Sequence, residues 1–310
     1  MSAEPWGSAL RAVVNRWNRN PSNLRYTITF GDAAVALGNR ESEVFWVSGL
    51  PEYVLAASFV WFNSTSCELV EADIAVEARW PYTASNLKAD LVSYGGSQLP
   101  LQAVAMHEFG HAGGLGETAG TYSVMGDALT HLHANGTTAR AYPGRDAAMG
   151  LTSIYGLWSF AQEDLGIAHW RWTGSQGAYS THGRTRVFDC AGNKLPELVG
   201  TKQPVYRVNQ GQCVRLELTY ENLGKTTPLT AAVGYYLSTD CEISTADTLL
   251  ATTSLSLRRG AMQTVLYTLN IPTYLSSGTR YCLGAVIDPY SVINELYDWN
   301  NASYVGIFVN

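Results

Sequence analysis

The sequence has 310 residues and a net charge of −6, and only 15% of its residues are Asp, Glu, Lys or Arg, against ~25% in an average soluble protein. No basic run is present, which argues against a nucleic-acid-binding protein. No apolar stretch approaches the ~18 residues of a membrane-spanning helix. The tryptophan, tyrosine and valine content excludes an intrinsically disordered chain.

The first half of the chain alternates between helical and strand patterns. Residues 7–18 carry apolar side chains at helical spacing, and residues 24–30 alternate as a strand does. Helical stretches are expected within residues 41–62. Residues 71–80 alternate cleanly and predict a strand.

Three further segments complete this half. Residues 99–112 predict a helix with Pro100 in its first turn. Residues 113–145 are rich in Gly, Thr and His and predict a loop, and residues 146–156 predict another helix. The mixture of helices and strands predicts an α+β fold.

After about residue 158 the pattern changes to short alternating strands separated by turn residues. Such a pattern predicts a β-sandwich of about seven strands. We therefore expect one domain over residues 1–157, a linker or shared strands over residues 158–182, and a second domain over residues 183–310.

The chain has five cysteines and no CxxC pair, which argues against a zinc ribbon or a thioredoxin-like site. Four lie in the second half, where we expect the disulfides Cys190–Cys213 and Cys241–Cys282. Cys67 is then unpaired, either as a buried thiol or as the partner of a segment outside this chain.

The segment from His107 to Glu117 is the most informative part of the sequence. His107 and His111 are four residues apart on a predicted helix, so both side chains can reach one metal ion. Glu108 lies about 100° around the helix and can accept a proton from a water near the metal. The alternative is a core helix with two hydrogen-bonded histidines, but burying these groups unpaired would be costly.

Gly114 accepts a positive φ and can end this helix, so that the chain turns sharply and Glu117 returns toward the metal. Met125 follows eight residues later in a Ser-Val-Met-Gly segment. HExxHxxG with this Met-turn resembles the metzincin zinc metallopeptidases, and the matrixin-like members in particular. The likeness extends over residues 10–157.

The resemblance implies a twisted sheet plus an active-site helix, with a single catalytic Zn²⁺ bound by His107, His111 and a third residue. The family has His or Asp where this chain has Glu117, and Glu also binds zinc. Met125 is implied as an apolar floor below the metal. The resemblance further implies a substrate-binding edge strand at Asp73, Ile74, Ala75 and Val76.

His131 and His133 are the alternatives for the third ligand. Because they are two residues apart, they point in opposite directions on an extended segment, and only one could reach the metal. The other interpretation places both in a solvent-lined loop beside the substrate pocket. In some relatives a tyrosine two residues after the Met-turn methionine assists the oxyanion, but this chain has Asp127 there.

Two stretches of the second half, residues 233–250 and 278–301, resemble the bacterial CARDB domain, an immunoglobulin-like sandwich. The resemblance covers about residues 184–310 and implies a module that tethers or presents the catalytic domain to a cell-surface or matrix partner. Its acidic loops could hold structural Ca²⁺, although Asp and Asn in such loops are usually turn residues.

The sequence therefore predicts a secreted or cell-surface zinc endopeptidase that acts on protein or peptide substrates, with Glu108 as the general base. The N-terminus as written carries no secretory signal. Two alternatives remain: a non-catalytic adhesion or binding protein that retains a metalloprotease fold, and a latent peptidase that lacks its pro-segment.

Overall fold

The computed structural model describes residues 4–127 and 129–310. The part of the chain through Tyr155 holds its α-helices and seven short strands. The helices are α1 (Trp6–Trp17), α2 (Leu101–Ala112) and α3 (Gly144–Tyr155). The strands are β1 (Val44–Val47), β2 (Ala56–Phe62), β3 (Leu69–Glu77), β4 (Tyr82–Thr83), β5 (Leu99–Pro100), β6 (Leu132–Asn135) and β7 (Thr138–Ala141).

The remainder of the chain is built from strands. They are β8 (Leu165–Ala168), β9 (Trp170–Gln176), β10 (Tyr179–Arg184), β11 (Val187–Asp189), β12 (Val205–Val208), β13 (Cys213–Asn222), β14 (Leu229–Ser238), β15 (Thr248–Leu257), β16 (Met262–Asn270), β17 (Arg280–Ile287) and β18 (Ala302–Val309). A four-stranded sheet of β11, β13, β16 and β8 faces a five-stranded sheet in the order β12-β18-β17-β14-β15. Alternate residues of both sheets bury one shared hydrophobic core, as in a β-sandwich.

The predicted α+β metzincin-like fold class is wrong. Of the residues, 39% lie in strands and 14% in helices, with three helices in the described part of the chain, so the protein is mostly β. Part of this error arises in residues 41–62, where helices were expected and the strands β1 and β2 are found. These strands are rich in Val, Phe and Trp, and such side chains pack well on a pleated sheet.

The first sheet has the strand order β1-β3-β2. β3 is central, parallel to β1 and antiparallel to β2, and Ile74 is in register with Val44 on one side and Ser58 on the other. The expected substrate-binding edge strand at Asp73, Ile74, Ala75 and Val76 is therefore wrong, because β1 and β2 flank this stretch on both sides. β2 is an edge strand instead.

Residues 24–30 are also not a strand, although the sequence predicts one. The side chain of Asn18 accepts a hydrogen bond from the backbone N–H of Tyr26 and donates one to its carbonyl. The Tyr26 hydroxyl donates to the carbonyl of Phe109 in α2. These contacts hold the segment near the sheet without making it a sheet strand.

The three helices agree closely with the sequence patterns. α2 is buried along its length from Leu101 to Gly110 and packs against β2, β3 and α1. Trp17 of α1 donates its indole N–H to the carbonyl of Met106, which ties the two helices together. α2 thus lies between other layers of the protein, which a helix that is apolar on nearly all sides requires.

Residues 113–145 were expected to be a loop but contain the β6–β7 hairpin. This hairpin contacts the sandwich, because the Ser303 hydroxyl of β18 donates to the carbonyl of Ala134 in β6. One hydrophobic cluster has members from Ala9 to Trp170 and a second has members from Leu165 to Val309. A third, smaller cluster includes Ala302 and Tyr304, the neighbours of Ser303. The predicted division of the chain at residues 158–182 stays a prediction.

Both expected disulfides, Cys190–Cys213 and Cys241–Cys282, are confirmed. Cys67 is a free thiol and exposed, so its expected burial is wrong. Disulfides persist in oxidising compartments, and these two are compatible with an extracellular protein. Among the described residues, none of the helices has the length and apolar character needed to cross a bilayer.

Candidate metal centre

Helix α2 brings two imidazoles to one point. His107 and His111 lie one turn apart, and their Nε2 atoms are 3.0 Å apart. Glu117 joins them from the following loop, with Oε1 at 3.0 Å from Nε2 of His111 and at 3.4 Å from Nε2 of His107. The three predicted ligands therefore form one cluster in the structure.

The other nitrogen of each ring has a backbone partner. Nδ1 of His107 is 2.8 Å from the carbonyl oxygen of Val124, and Nδ1 of His111 is 2.8 Å from that of Leu115. Since a carbonyl only accepts, both Nδ1 atoms carry the hydrogen, and both Nε2 lone pairs point toward the cluster. A hydrogen bond from the second ring nitrogen commonly fixes the tautomer of a metal-binding histidine.

α2 ends in a turn that brings Glu117 back toward the two histidines, and this turn requires glycine at position 114. Gly114 has φ +87°, its N–H donates to the carbonyl of His111, and the Leu115 N–H donates to that of Gly110. This pair of bonds is the Schellman motif, in which a left-handed residue follows the last helical turn. Gly114 thereby places Glu117 within reach of the histidines.

Glu117 and His111 each favour the charged form of the other. Burial alone would favour the neutral carboxylic acid, but the adjacent imidazoles of His107 and His111 lower the pKa of Glu117 to about 2. Burial likewise opposes protonation of His111, but the Glu117 carboxylate outweighs it and raises the pKa of His111. Glu117 is thus an anion at neutral pH, and its Oε2 is buried without a hydrogen-bond partner.

Glu108 lies next to the cluster but outside it. The Ser58 hydroxyl of β2 is 2.8 Å from Oε2 of Glu108 and 3.0 Å from its backbone carbonyl oxygen. The carboxylate is therefore held by a second element rather than by the helix alone. Sequence analysis missed Ser58, whose only local signal is a small polar residue in a run of large apolar ones.

Met125 is buried and packs against Gly110 of α2. A Cβ atom added to Gly110 would lie 2.3 Å from the sulfur of Met125, so only glycine permits this close approach. The adjacent carbonyl of Val124 holds His107. The turn that contains Met125 therefore supports α2 in two ways. Met125 packs against Gly110, and the carbonyl of Val124 accepts a hydrogen bond from His107.

The structure does not bring His131 or His133 to the cluster. His131 is fully buried between the rings of Tyr122 and Tyr142, each 4.5 Å away between ring centroids. His133 is buried as well, with Nε2 2.8 Å from the carbonyl oxygen of Ala302. The expected solvent-lined loop is therefore wrong at both positions, because the β6–β7 hairpin packs against the sandwich.

A cleft of about 480 Å³ opens over the cluster, lined by α2, the loop through Glu117 and five residues of β2. Tyr179, the first residue of β10, also lines it, and its ring is stacked on that of His107 with 6.3 Å between centroids. Sequence analysis missed Tyr179, since no motif surrounds it. Asp127, by contrast, is not among the residues that line the cleft.

One other group of candidate ligands occurs among the described residues, formed by Asp32, Glu41 and Glu43. It lies beside a cavity of about 590 Å³ between the 24–32 segment and the first sheet. Asp32 and Glu41 are exposed, and exposed acidic groups are common without an ion. Within residues 183–310, all of them described, no three His, Cys, Asp or Glu side chains lie close enough together to share an ion, and structural Ca²⁺ in the acidic loops stays a prediction.

No protein-family model and no curated protein matches the chain. Among solved structures, the chain is similar to the CARDB domain of a Pyrococcus furiosus protein, crystallised in complex with di-metal ions. That match has 16% identity and a TM-score of 0.30, and it covers 49% of this chain and 93% of that domain. An NMR structure of the same domain gives 17% identity, a TM-score of 0.29 and coverages of 48% and 95%.

A β-glucosidase from Erythrobacter marinus matches with 12% identity and a TM-score of 0.28, over 48% of this chain and 16% of that enzyme. Each of the two CARDB matches extends over about half of this chain. The di-metal ions belong to the Pyrococcus furiosus protein, and nothing about the metal of the present chain follows from them.

Proposed function

We propose that the protein is a zinc-dependent endopeptidase whose catalytic centre is formed by His107, Glu108, His111 and Glu117. The observation that carries the proposal is the convergence of two Nε2 lone pairs and one carboxylate oxygen within 3.4 Å of one another. The metzincin-like motif supports the assignment at the level of these side chains.

The donor set fits zinc. Three protein ligands of the His₂Glu type are known from catalytic zinc sites, which keep one position open. Two nitrogens, each ~2.0–2.1 Å from one tetrahedral ion, would stand about 3.3 Å apart, close to the 3.0 Å between the histidines here. The orphaned Oε2 of Glu117 offers a further oxygen.

Zinc in such a site polarises a carbonyl oxygen and acidifies water, which is the chemistry that amide hydrolysis needs. Glu108 then takes the proton of the attacking water and delivers it to the leaving amine nitrogen. Ser58 keeps the Glu108 carboxylate oriented for both transfers through its 2.8 Å hydrogen bond. No covalent intermediate with the protein is required.

The edge strand β2 supports a peptide as the substrate. It borders the cleft with Ala56, Ser58 and Val60, and in the described sheet only β3 pairs with it. An extended peptide adds to such an edge through backbone hydrogen bonds, so its main chain is recognised largely independently of its side chains. This mode presents a scissile carbonyl alongside α2.

We further propose that the protein acts outside the cell and that the sandwich tethers it to a cell-surface or matrix partner. The two disulfides and the low charge support the location. The rival function is a non-catalytic binding protein that retains the site, and the glutamate at position 117 favours it. The retained base Glu108 and its partner Ser58 argue against it, because a purely binding protein needs neither.

The test compares zinc-loaded and zinc-free protein on a diverse peptide library, with cleavage products identified by mass spectrometry. Glu108→Gln removes the base, and Glu52→Gln, at an exposed loop position, is the matched control. We expect cleavage that requires zinc, disappears in Glu108→Gln and persists in Glu52→Gln. A folded, zinc-loaded protein that cleaves nothing would favour the binding protein or the latent form.

A further inference from the structure

Tyr179 lies at the tip of the β9–β10 hairpin and reaches the cleft from a distant part of the chain. The two strands are joined by the two-residue turn Gly177-Ala178, and Gly177 has φ +62°. Glycine at the first position of such a turn gives a tight hairpin whose twist suits its strands. The aromatic ring of Tyr179 is therefore carried on a short, ordered tip.

The hairpin is fastened to the loop that carries Glu117. The backbone N–H and the hydroxyl of Ser180 both donate to the carbonyl of Thr118, at 2.6 and 2.8 Å. The indole N–H of Trp172 donates to the carbonyl of Ala119 at 3.2 Å. Because Ser180 and Thr118 directly follow Tyr179 and Glu117, these bonds fix the tyrosine against the third ligand.

The hydroxyl of Tyr179 belongs to the cleft lining and lies beside the Glu117 carboxylate. Among the described residues that line it, the other hydroxyl belongs to Ser58, which is engaged with Glu108. A phenol ordinarily has a pKa of about 10, so it keeps its hydrogen at neutral pH. A neutral phenol beside a metal cluster is a hydrogen-bond donor for an anionic oxygen.

We propose that Tyr179 is a catalytic residue that donates its hydroxyl hydrogen bond to the anionic oxygen of a molecule bound over His107, His111 and Glu117. In peptide hydrolysis this oxygen is the former carbonyl oxygen of the tetrahedral intermediate. The phenol proton stays on Tyr179, and no bond to the protein forms. The inference rests on the zinc site proposed above.

Preorganised donors of this kind act mainly on the transition state, and loss of one costs about 10²–10³ in kcat at a fully buried oxyanion site. Tyr179 is 45% exposed, so we expect a smaller effect, about 10- to 100-fold. The ring itself is kept in Tyr179→Phe, which separates the hydroxyl from the stacking on His107.

The experiment measures three quantities for wild type, Tyr179→Phe and the control Tyr274→Phe, an exposed tyrosine of the sandwich. They are the zinc Kd by chelator competition, the Kd of acetohydroxamate for the zinc-loaded protein, and kcat and KM on a cleaved peptide. In Tyr179→Phe we expect acetohydroxamate to bind about 10-fold more weakly and kcat to fall, while the zinc Kd and KM change less than threefold.

Unchanged acetohydroxamate binding in Tyr179→Phe would overturn the inference whether or not peptides are cleaved. A parallel loss of zinc affinity would also overturn it, since Tyr179 would then act by positioning Glu117. The proposed peptidase function fails separately, if wild-type protein binds zinc and acetohydroxamate but cleaves no peptide. Weaker acetohydroxamate binding in Tyr179→Phe would support the tyrosine's role even then.

Discussion

The Nε2 atoms of His107 and His111 lie 3.0 Å apart, although both rings carry their hydrogen on Nδ1. Two lone pairs at this distance repel, and the Glu117 oxygen adds a negative charge at 3.0 Å from one of them. A cation between the three atoms removes the conflict. The site is therefore organised for a positive charge before any substrate arrives.

Zinc should accordingly stabilise the folded protein. A ligand that binds only the native state adds about 4 kcal/mol at 1,000 times its Kd, and we expect Tm to rise by at least about 5 °C. His111→Ala should abolish the rise, while Glu108→Gln should keep it because Glu108 is not a ligand. Differential scanning calorimetry with and without zinc measures this. An equal rise in Tm for His111→Ala would show that zinc binds at another site.

Replacing Glu117 by histidine should keep the metal and change its chemistry. A neutral third ligand raises the net charge of the site by one, and the ion then acidifies water more strongly. We expect Glu117→His to bind zinc and to shift the acid limb of the kcat/KM profile to lower pH. Glu117→Ala is the control and should lose most of the zinc affinity. An unshifted profile in Glu117→His would contradict the assignment of Glu117 as a ligand.

Ser58→Ala should lower turnover without affecting metal binding. The variant removes the 2.8 Å hydrogen bond to Glu108 and leaves the three ligands untouched. We expect kcat to fall about 10-fold, which corresponds to ~1.4 kcal/mol, with zinc affinity within threefold of wild type. Ser66→Ala, on an exposed turn, is the matched control. Wild-type kcat in Ser58→Ala would mean that α2 alone orients the base.

His133 should make the fold sensitive to acid. Complete burial lowers the pKa of His133 to about 4, below the ~6.5 of an unfolded histidine. The unfolded chain therefore binds more protons between these values, so the contribution of His133 to stability is full above pH 6.5 and is lost as the pH falls toward 4. At pH 5 the loss from this group amounts to roughly 2 kcal/mol.

The variant His133→Gln isolates that contribution, since glutamine can still donate a hydrogen bond to the carbonyl of Ala302. We expect His133→Gln to be less stable than wild type at pH 7.5 and the difference to shrink at pH 5. Urea denaturation at both pH values measures it. A difference that stays constant would show that His133 has the same pKa in the folded and the unfolded chain.

Cysteine labelling should distinguish one residue from the other four. Cys67 is exposed and free, whereas the others form disulfides. We expect native protein to react with one maleimide per chain, at Cys67, and the Cys67→Ser variant to react with none. Reduction under denaturing conditions should release four more thiols. More than one label on the native protein would contradict the two disulfides.

Local sequence patterns predicted the candidate metal-binding cluster, since its three proposed ligands and Glu108 lie on α2 and the turn that follows it. The helical period also predicted α1, α2 and α3. Strands β1 and β2 were missed because their aromatic runs lack clean alternation, and residues 24–30 were misassigned because Asn18 takes up the backbone groups of Tyr26. Side-chain competition of this kind leaves no periodic signal.

Residues that reach the cluster from distant positions in the sequence could not be predicted. Ser58 lies 50 positions before Glu108, and Tyr179 reaches the cleft only because Ser180 pairs with Thr118, 62 positions earlier. A single serine or tyrosine in a strand pattern is ordinary. Its role becomes visible only once the tertiary contacts are known.

The bonds between Ser180 and Thr118 also set an order of events during synthesis. N-terminal segments fold first as the chain emerges, and the three proposed ligands leave the ribosome before the β9–β10 hairpin does. Until then the carbonyl of Thr118 lacks its two donors, and Tyr179 is absent from the cleft. A nascent chain therefore has the three proposed ligands early but gains the fully lined cleft only when the C-terminal strands arrive.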